Sequence, residues 1–304
     1  MWLLPLLALL LLYPAHAAFA AITVVTTTQD LKSLVEVVGG NQVQVVSLVP
    51  PGADAEAYEA RPSDLLRLTG ASMIVRIGLG YDEWLDRLLA QHGDTQLMSG
   101  GPRQVDASVG IPLLEVQSRS VEMQTGGHAH GLANPHFWLD PGNARIITAS
   151  IADGLARVAP DQAARFAARR ADFLRILDGR IDLWQERLAP YAGTAVVAYH
   201  NAWPYFARRF RLNIVAVLEP KEDVPPSPLR LVHVAAEMRT AKVQAVLITP
   251  QQPHEPAEAV AKRTGAHVVL LAGSVGELPD TGDYLSLFET NVNALLTGFT
   301  SNGE

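Results

Sequence analysis

Short apolar runs alternate with segments of helical period along most of the chain. Strands are predicted at Ile22–Thr27, Val43–Val49 and Met73–Ile77, then at Ala195–Tyr199, Ile214–Leu218, Val243–Ile248 and His267–Leu271. Helices are predicted between them: Leu31–Val38, Asp64–Leu68 with Ser63 as cap, Trp84–His92, the segment after Asn201, one capped by Ser227 with Pro228 at its first position, and Pro256–Thr264. Strand–helix–strand order with Val/Ile-rich, fully apolar strands argues for two parallel sheets covered by helices. Between the two groups of strands, Asn143–Leu188 carries no strand signal and reads as two helices punctuated by Ala159-Pro160. The second, from Asp161 to Leu188, would be about 28 residues and roughly 40 Å long. That length suits a rod joining two lobes. The expected fold is therefore α/β, two parallel-sheet lobes joined by a long rigid helix, with lobes over 21–142 and 191–304 and the helical segment over 143–190.

Met1–Ala21 has no charged side chain, and its apolar run Leu6–Leu12 is too short to span a bilayer. Two small-x-small sites follow, Ala15-His16-Ala17 and Ala18-Phe19-Ala20, so residues 1–20 are expected to be a cleaved secretory signal. Export gives the absence of cysteine a meaning: no disulfide framework, no thiolate metal site and no lipid-attachable Cys. The mature chain is expected to be soluble and periplasmic. Over the 304 residues, 48% are hydrophobic and the 24 Lys+Arg against 31 Asp+Glu give a net charge of −7, a balance that excludes a disordered tail and a generic nucleic-acid binder.

The candidate chemistry is histidine and carboxylate. His128, His130 and His136 fall within nine residues, in a loop closing on Asn134-Pro135-His136-Phe137-Trp138-Leu139-Asp140-Pro141. Neutral imidazole is a common ligand for zinc and neighbouring first-row ions, and ligands brought in by one loop cost little extra ordering. His200 ends an apolar run and precedes a helix, which puts it at the carboxyl edge of a parallel strand, where open α/β sheets bind ligands. Glu56 holds the corresponding place after Val43–Val49. His254 follows a predicted strand and is a weaker candidate for the same crevice; His92, His233 and His267 read as packing or surface residues. There is no H-E-x-x-H, G-x-S-x-G, Walker loop or G-x-G-x-x-G. A hydrolytic metal site built from histidine and carboxylate would look the same in sequence.

Taken together, the segments Asn134–Pro141, His200-Asn201-Ala202-Trp203-Pro204-Tyr205-Phe206-Ala207, Glu219-Pro220 through Pro226-Ser227-Pro228, Pro51-Gly52-Ala53-Asp54 with Tyr58-Glu59, and Gly78-Leu79-Gly80 with Trp84-Leu85 resemble the metal-binding solute-binding proteins of zinc/manganese ABC importers, the zinc-uptake and adhesin-type family. The resemblance covers nearly the whole mature chain. It implies one divalent metal ion held between two lobes by three histidines and a carboxylate, or by two of each, and delivered to a membrane permease driven by an ATPase. His136 and His200 match ligand positions, and a His at 200 resembles the zinc-type members. The cargo is expected to be zinc, with manganese or iron(II) next. Two positions depart: Glu56 stands where the family has its first His, and Gly273 where it has a late Asp. Fourth-ligand candidates are Asp280 and its neighbours Glu277 and Asp283, or His128 and His130, whose loop resembles a short form of the family's His-rich loop. A monomer is expected, since delivery needs both lobes free. The rival readings are a divergent member that binds another solute or acts in interaction or adhesion, and a metal-dependent periplasmic enzyme.

Overall fold

The computed structural model describes residues 21–116, 133–221 and 224–300. The expected signal segment 1–20 and both His128 and His130 lie outside the described residues. Among the described residues, eight parallel strands form two four-stranded sheets: β1 (Ile22–Thr26), β2 (Val43–Ser47), β3 (Met73–Arg76) and β4 (Gln104–Asp106) in one, β5 (Ala195–Ala198), β6 (Asn213–Val217), β7 (Ala245–Ile248) and β8 (His267–Leu270) in the other. The spatial orders are 2-1-3-4 and 6-5-7-8, so each lobe repeats one topology. In each, the chain leaves its first strand to one side and its third strand pairs on the other. That reversal opens a crevice at the carboxyl ends of β1 and β3, and of β5 and β7.

β3, β5 and β7 are buried along their whole lengths, which explains their apolar sequences; the one charged residue, Arg76 at the end of β3, is paired with Asp82 and Asp86. β4 has only three residues and no apolar run, and no strand is predicted there. Among the described residues the helices are α1 (Gln29–Gly39), α2 (Pro62–Leu68), α3 (Trp84–His92), α4 (Ala144–Val158), α5 (Ala163–Leu188), α6 (Pro204–Phe210), α7 (Pro228–Ala241), α8 (His254–Thr264) and α9 (Tyr284–Thr300). Ser227 caps α7 through its Oγ, which accepts from the Arg230 amide at 3.2 Å. Ser63 does not cap α2, contrary to expectation. Pro62 already occupies the first helical position, where a missing N–H costs nothing, and the Asp64 carboxylate reaches back to the Arg61 amide at 2.8 Å.

α5 is 26 residues, preceded by a 3-10 turn at Pro160–Gln162, so the expected rod is present and starts two residues later than its pattern implied. Phe166, Phe173, Leu177, Ile181, Trp184 and Leu188 form its buried face. That face runs from α1 and α4 beside the first sheet to α9, which packs on β8 of the second. The Trp184 indole donates to Glu289 of α9 at 2.8 Å, fixing the far end. One continuous apolar core passes through both lobes; a second, smaller one, including Val197, Tyr199, Val234 and Val260, lies under α7 and α8. No helix among the described residues is long and apolar enough to cross a membrane.

Candidate metal centre

Three loops meet where the two crevices face each other. The Glu56 loop follows β2. Asp54 Oδ1 accepts the Glu56 amide at 2.8 Å, Trp84 Nε1 donates to Ala55 O at 3.0 Å, and Tyr58 packs edge-on against Trp84. The His136 loop runs into a 3-10 turn at Phe137–Leu139, and Tyr81 packs edge-on against both His136 and Trp138. Tyr81 is held by a buried frame: Asp82 accepts from the Ile77 and Gly78 amides, the Thr27 hydroxyl and Arg76. His200 stands two residues beyond β5, and α6 begins four residues later.

The histidine and carboxylate atoms of Glu56, His136 and His200 lie within 4.8 Å of one another, the one such cluster among the described residues. Glu56 Oε2 is 3.9 Å from His136 Nε2 and 3.5 Å from His200 Nε2. In both histidines Nδ1 is engaged on the far side, facing Asn134 Oδ1 at 3.2 Å in His136 and Glu219 Oε2 at 2.7 Å in His200. The Asn134 amide is oriented by its own donors, which reach Glu115 Oε2 at 3.1 Å and Asn201 O at 2.8 Å, so its oxygen is the acceptor for His136. A proton fixed on each Nδ1 leaves each Nε2 lone pair aimed into the cluster, the usual outer support of metal-ligating imidazole.

The cluster borders a cavity of about 270 Å³. Asp54, Glu56, Glu219 and Glu277 line it beside the two histidines, and among the described residues no Lys or Arg does. Larger clefts, of about 590 Å³ along α5 and about 660 Å³ near His92, contain no such cluster. The acidic surroundings mark the neighbouring groups. Burial pushes the Glu277 carboxyl up to about 7, opposed by hydrogen bonds from the Gly273 and Ser274 amides and reinforced by Asp30. Burial pushes Asp30 up to about 6, and burial with the Glu56, Asp54, Asp30 and Glu277 charges drives the Tyr81 phenol well above its usual range.

Of the six residues singled out in sequence, Glu56, His136 and His200 are brought together. Asp280 is exposed and does not line the cavity; its carbonyl accepts from the Thr290 hydroxyl of α9. Its neighbour Glu277 lines the wall in its place. His254 opens α8 exposed and also misses the cavity. Asn134 and Glu219 stood in the quoted motifs without a role, because orienting an imidazole is a contact between segments that spacing does not encode.

The model of the family described as zinc-uptake complex component A, periplasmic (ZnuA) matches residues 24–298, nearly the whole chain. The chain belongs to this family. The iron-binding protein YfeA of Yersinia pestis is 26% identical over 286 residues, covering 90% of this chain and 85% of YfeA. The manganese-binding lipoprotein MntA of Halalkalibacterium halodurans is 25% identical over 282 residues, covering 91% and 88%. A crystal structure of ZnuA superposes with a TM-score of 0.77 at 26% identity, over 91% of this chain and 99% of that one. Members of the family are solute-binding proteins of metal ABC transporters, not enzymes, which removes the enzyme reading. The two sheets and the long helix of this ZnuA-family chain are the architecture its relatives share.

Proposed function

We propose that the chain captures one divalent transition metal ion between its lobes through Glu56 Oε, His136 Nε2 and His200 Nε2, and hands it to a membrane permease powered by an ATPase. The observation that supports this reading is the convergence of three donors, the two histidines held from behind by Asn134 and Glu219, on a cavity lined by acidic side chains and, among the described residues, by no Lys or Arg. The ion is cargo, and no bond within a substrate is made or broken. The convergence also speaks against a divergent member that has lost its metal.

Zinc is the proposed tightest ligand. Two neutral imidazoles and a carboxylate are ordinary zinc donors. For any fixed nitrogen and oxygen donor set, zinc also binds more tightly than iron(II) and iron(II) more tightly than manganese. The family's periplasmic setting fits the expected export, and the domain limits 21–142, 143–190 and 191–304 are proposed on the same footing.

Isothermal titration of the metal-free protein with zinc, iron(II) and manganese tests this. The expected result is one site per chain with affinity falling in that order, and loss of the site in His136→Ala and in His200→Ala. Absence of a tight site in the unmutated chain, or full stoichiometry in either variant, would overturn it.

A further inference from the structure

The three clustered donors leave a divalent ion at least one vertex short of the four it takes at a closed site. They are also unevenly distributed between the lobes, since His200 is the only one carried by the second sheet. The loop after β8 faces the same cavity, and the residue at its head is Gly273. A Cβ placed on Gly273 would sit 3.6 Å from both carboxylate oxygens of Glu277 and 3.5 Å from Thr249 Cγ2. The Glu277 carboxylate thus lies in contact with the place a side chain at 273 would start from, reaching it from four residues further along.

The local geometry keeps the carboxylate there. Glu277 Oε2 accepts the Gly273 amide at 2.6 Å, while the Gly273 carbonyl accepts the Trp138 indole N–H at 2.9 Å, two residues beyond His136. The Gly273 peptide therefore ties Glu277 to the loop that carries a clustered histidine. A carboxylate has about four lone-pair sites, so it can hold the Gly273 amide and still bond an ion through one oxygen. Glu277 stands outside the three-residue cluster, so the bond requires its second oxygen, Oε1, to shift toward Glu56 while Oε2 keeps the Gly273 amide.

On the proposed reading of the site, we propose that Glu277 is the further metal ligand contributed by the second lobe, replacing a side chain absent at residue 273. The donor set becomes two imidazoles and two carboxylates. The added hard oxygen strengthens manganese and iron(II) more than zinc and narrows the gap between them.

Cobalt(II) serves as a coloured stand-in for zinc, its visible bands reporting coordination number, alongside manganese titration. Glu277→Gln is expected to weaken manganese more than about tenfold and to change the cobalt spectrum. Since a residue that merely positions a ligand costs about as much, the deciding variant moves the carboxylate: Glu277→Ala with Gly273→Asp, a side chain that position has room for. It is expected to restore manganese affinity to within about threefold of the unmutated protein and to return a spectrum of carboxylate-bound cobalt. Unchanged affinity and spectrum in Glu277→Gln overturn the proposal, and so does a loss that the relocated carboxylate leaves unrepaired. The parent reading fails separately, if the unmutated protein binds no ion or if His136→Ala and His200→Ala bind normally.

Discussion

A histidine becomes a ligand only when its other nitrogen is occupied, and here the two partners differ in kind. Glu219 gives His200 a charged acceptor at 2.7 Å; Asn134 gives His136 a neutral one at 3.2 Å. The carboxylate makes its imidazole the more basic donor and holds the ring more strongly. Glu219→Gln and Asn134→Ala are both expected to weaken zinc binding by about 10–100-fold without abolishing it, with the larger loss for Glu219. Competition titration against a chelator of known affinity measures both, and full-strength binding in Glu219→Gln would refute the bracing role. Asp30 shows how a residue's cost depends on pH. It is fully buried and accepts from the Ser274 hydroxyl and Val275 amide of the opposite lobe, and its carboxyl is raised from 3.8 to about 6. Between those values the folded state keeps a proton that the unfolded state has lost, so stability falls as pH rises through that window, by about 3 kcal/mol in all. Glu277 adds to the same trend at slightly higher pH. Asp30→Asn keeps an acceptor for Val275 and a donor for Ser274 without the charge. Thermal melts of the metal-free variant from pH 4 to 8 are expected to fall less steeply than those of the unmutated chain; an identical slope would sink this account.

At the scale of elements, the loop bearing His136 is secured to the helix that follows His200. Arg209 of α6 donates to Asp140 through Nε at 2.6 Å and through its NH2 group at 3.1 Å, and Asp140 also accepts the Gly142 amide at 2.8 Å. Tyr205 of the same helix donates to Asn134 O and accepts the Leu114 amide. The two most distinctive stretches of the sequence are therefore two halves of one bonded unit. Asp140 is buried, so Asp140→Ala leaves the Arg209 guanidinium without its carboxylate. The expected cost is about 3 kcal/mol, at the low end for a broken buried pair because Arg209 is partly exposed. Urea unfolding reads it as a lower midpoint, and a loss below about 1 kcal/mol would mean the pair is no more than a surface contact.

At the scale of the molecule, α5 is the rigid member. Its buried face contacts both lobes, and Trp184 is fully buried with its N–H satisfied by Glu289 of α9. Trp184→Ala is expected to cost about 3–5 kcal/mol in urea unfolding, through lost packing, while Glu289 keeps its bond to Arg187. A cost near zero would show that the rod is not part of the cooperative unit. Besides the shared apolar core and the ties from α6, the lobes meet through polar contacts of Asp30 with Ser274 and Val275, Ser33 with Tyr284, and Gln251 with Gly52.

The sequence by itself determined the two parallel sheets and the long helix and nominated the three clustered donors, because each carries a local signal: short apolar runs for buried strands, a 3.6-residue period for α5, and histidines and a carboxylate in loops, His200 among them just past a strand end. It placed the boundaries of most elements to within a few residues. It missed β4, which has no apolar run, and it named no helix at Tyr284–Thr300. It also nominated Asp280 without being able to rank it above Glu277, since both sit in the same loop and only the path of the backbone after β8 turns one inward and the other to solvent. The outer partners Asn134 and Glu219, the Asp140–Arg209 tie and the Glu277 carboxylate against Gly273 are contacts between segments distant in the chain or folded back on themselves. Those are fixed by how the lobes pack, and no periodicity in the sequence records them.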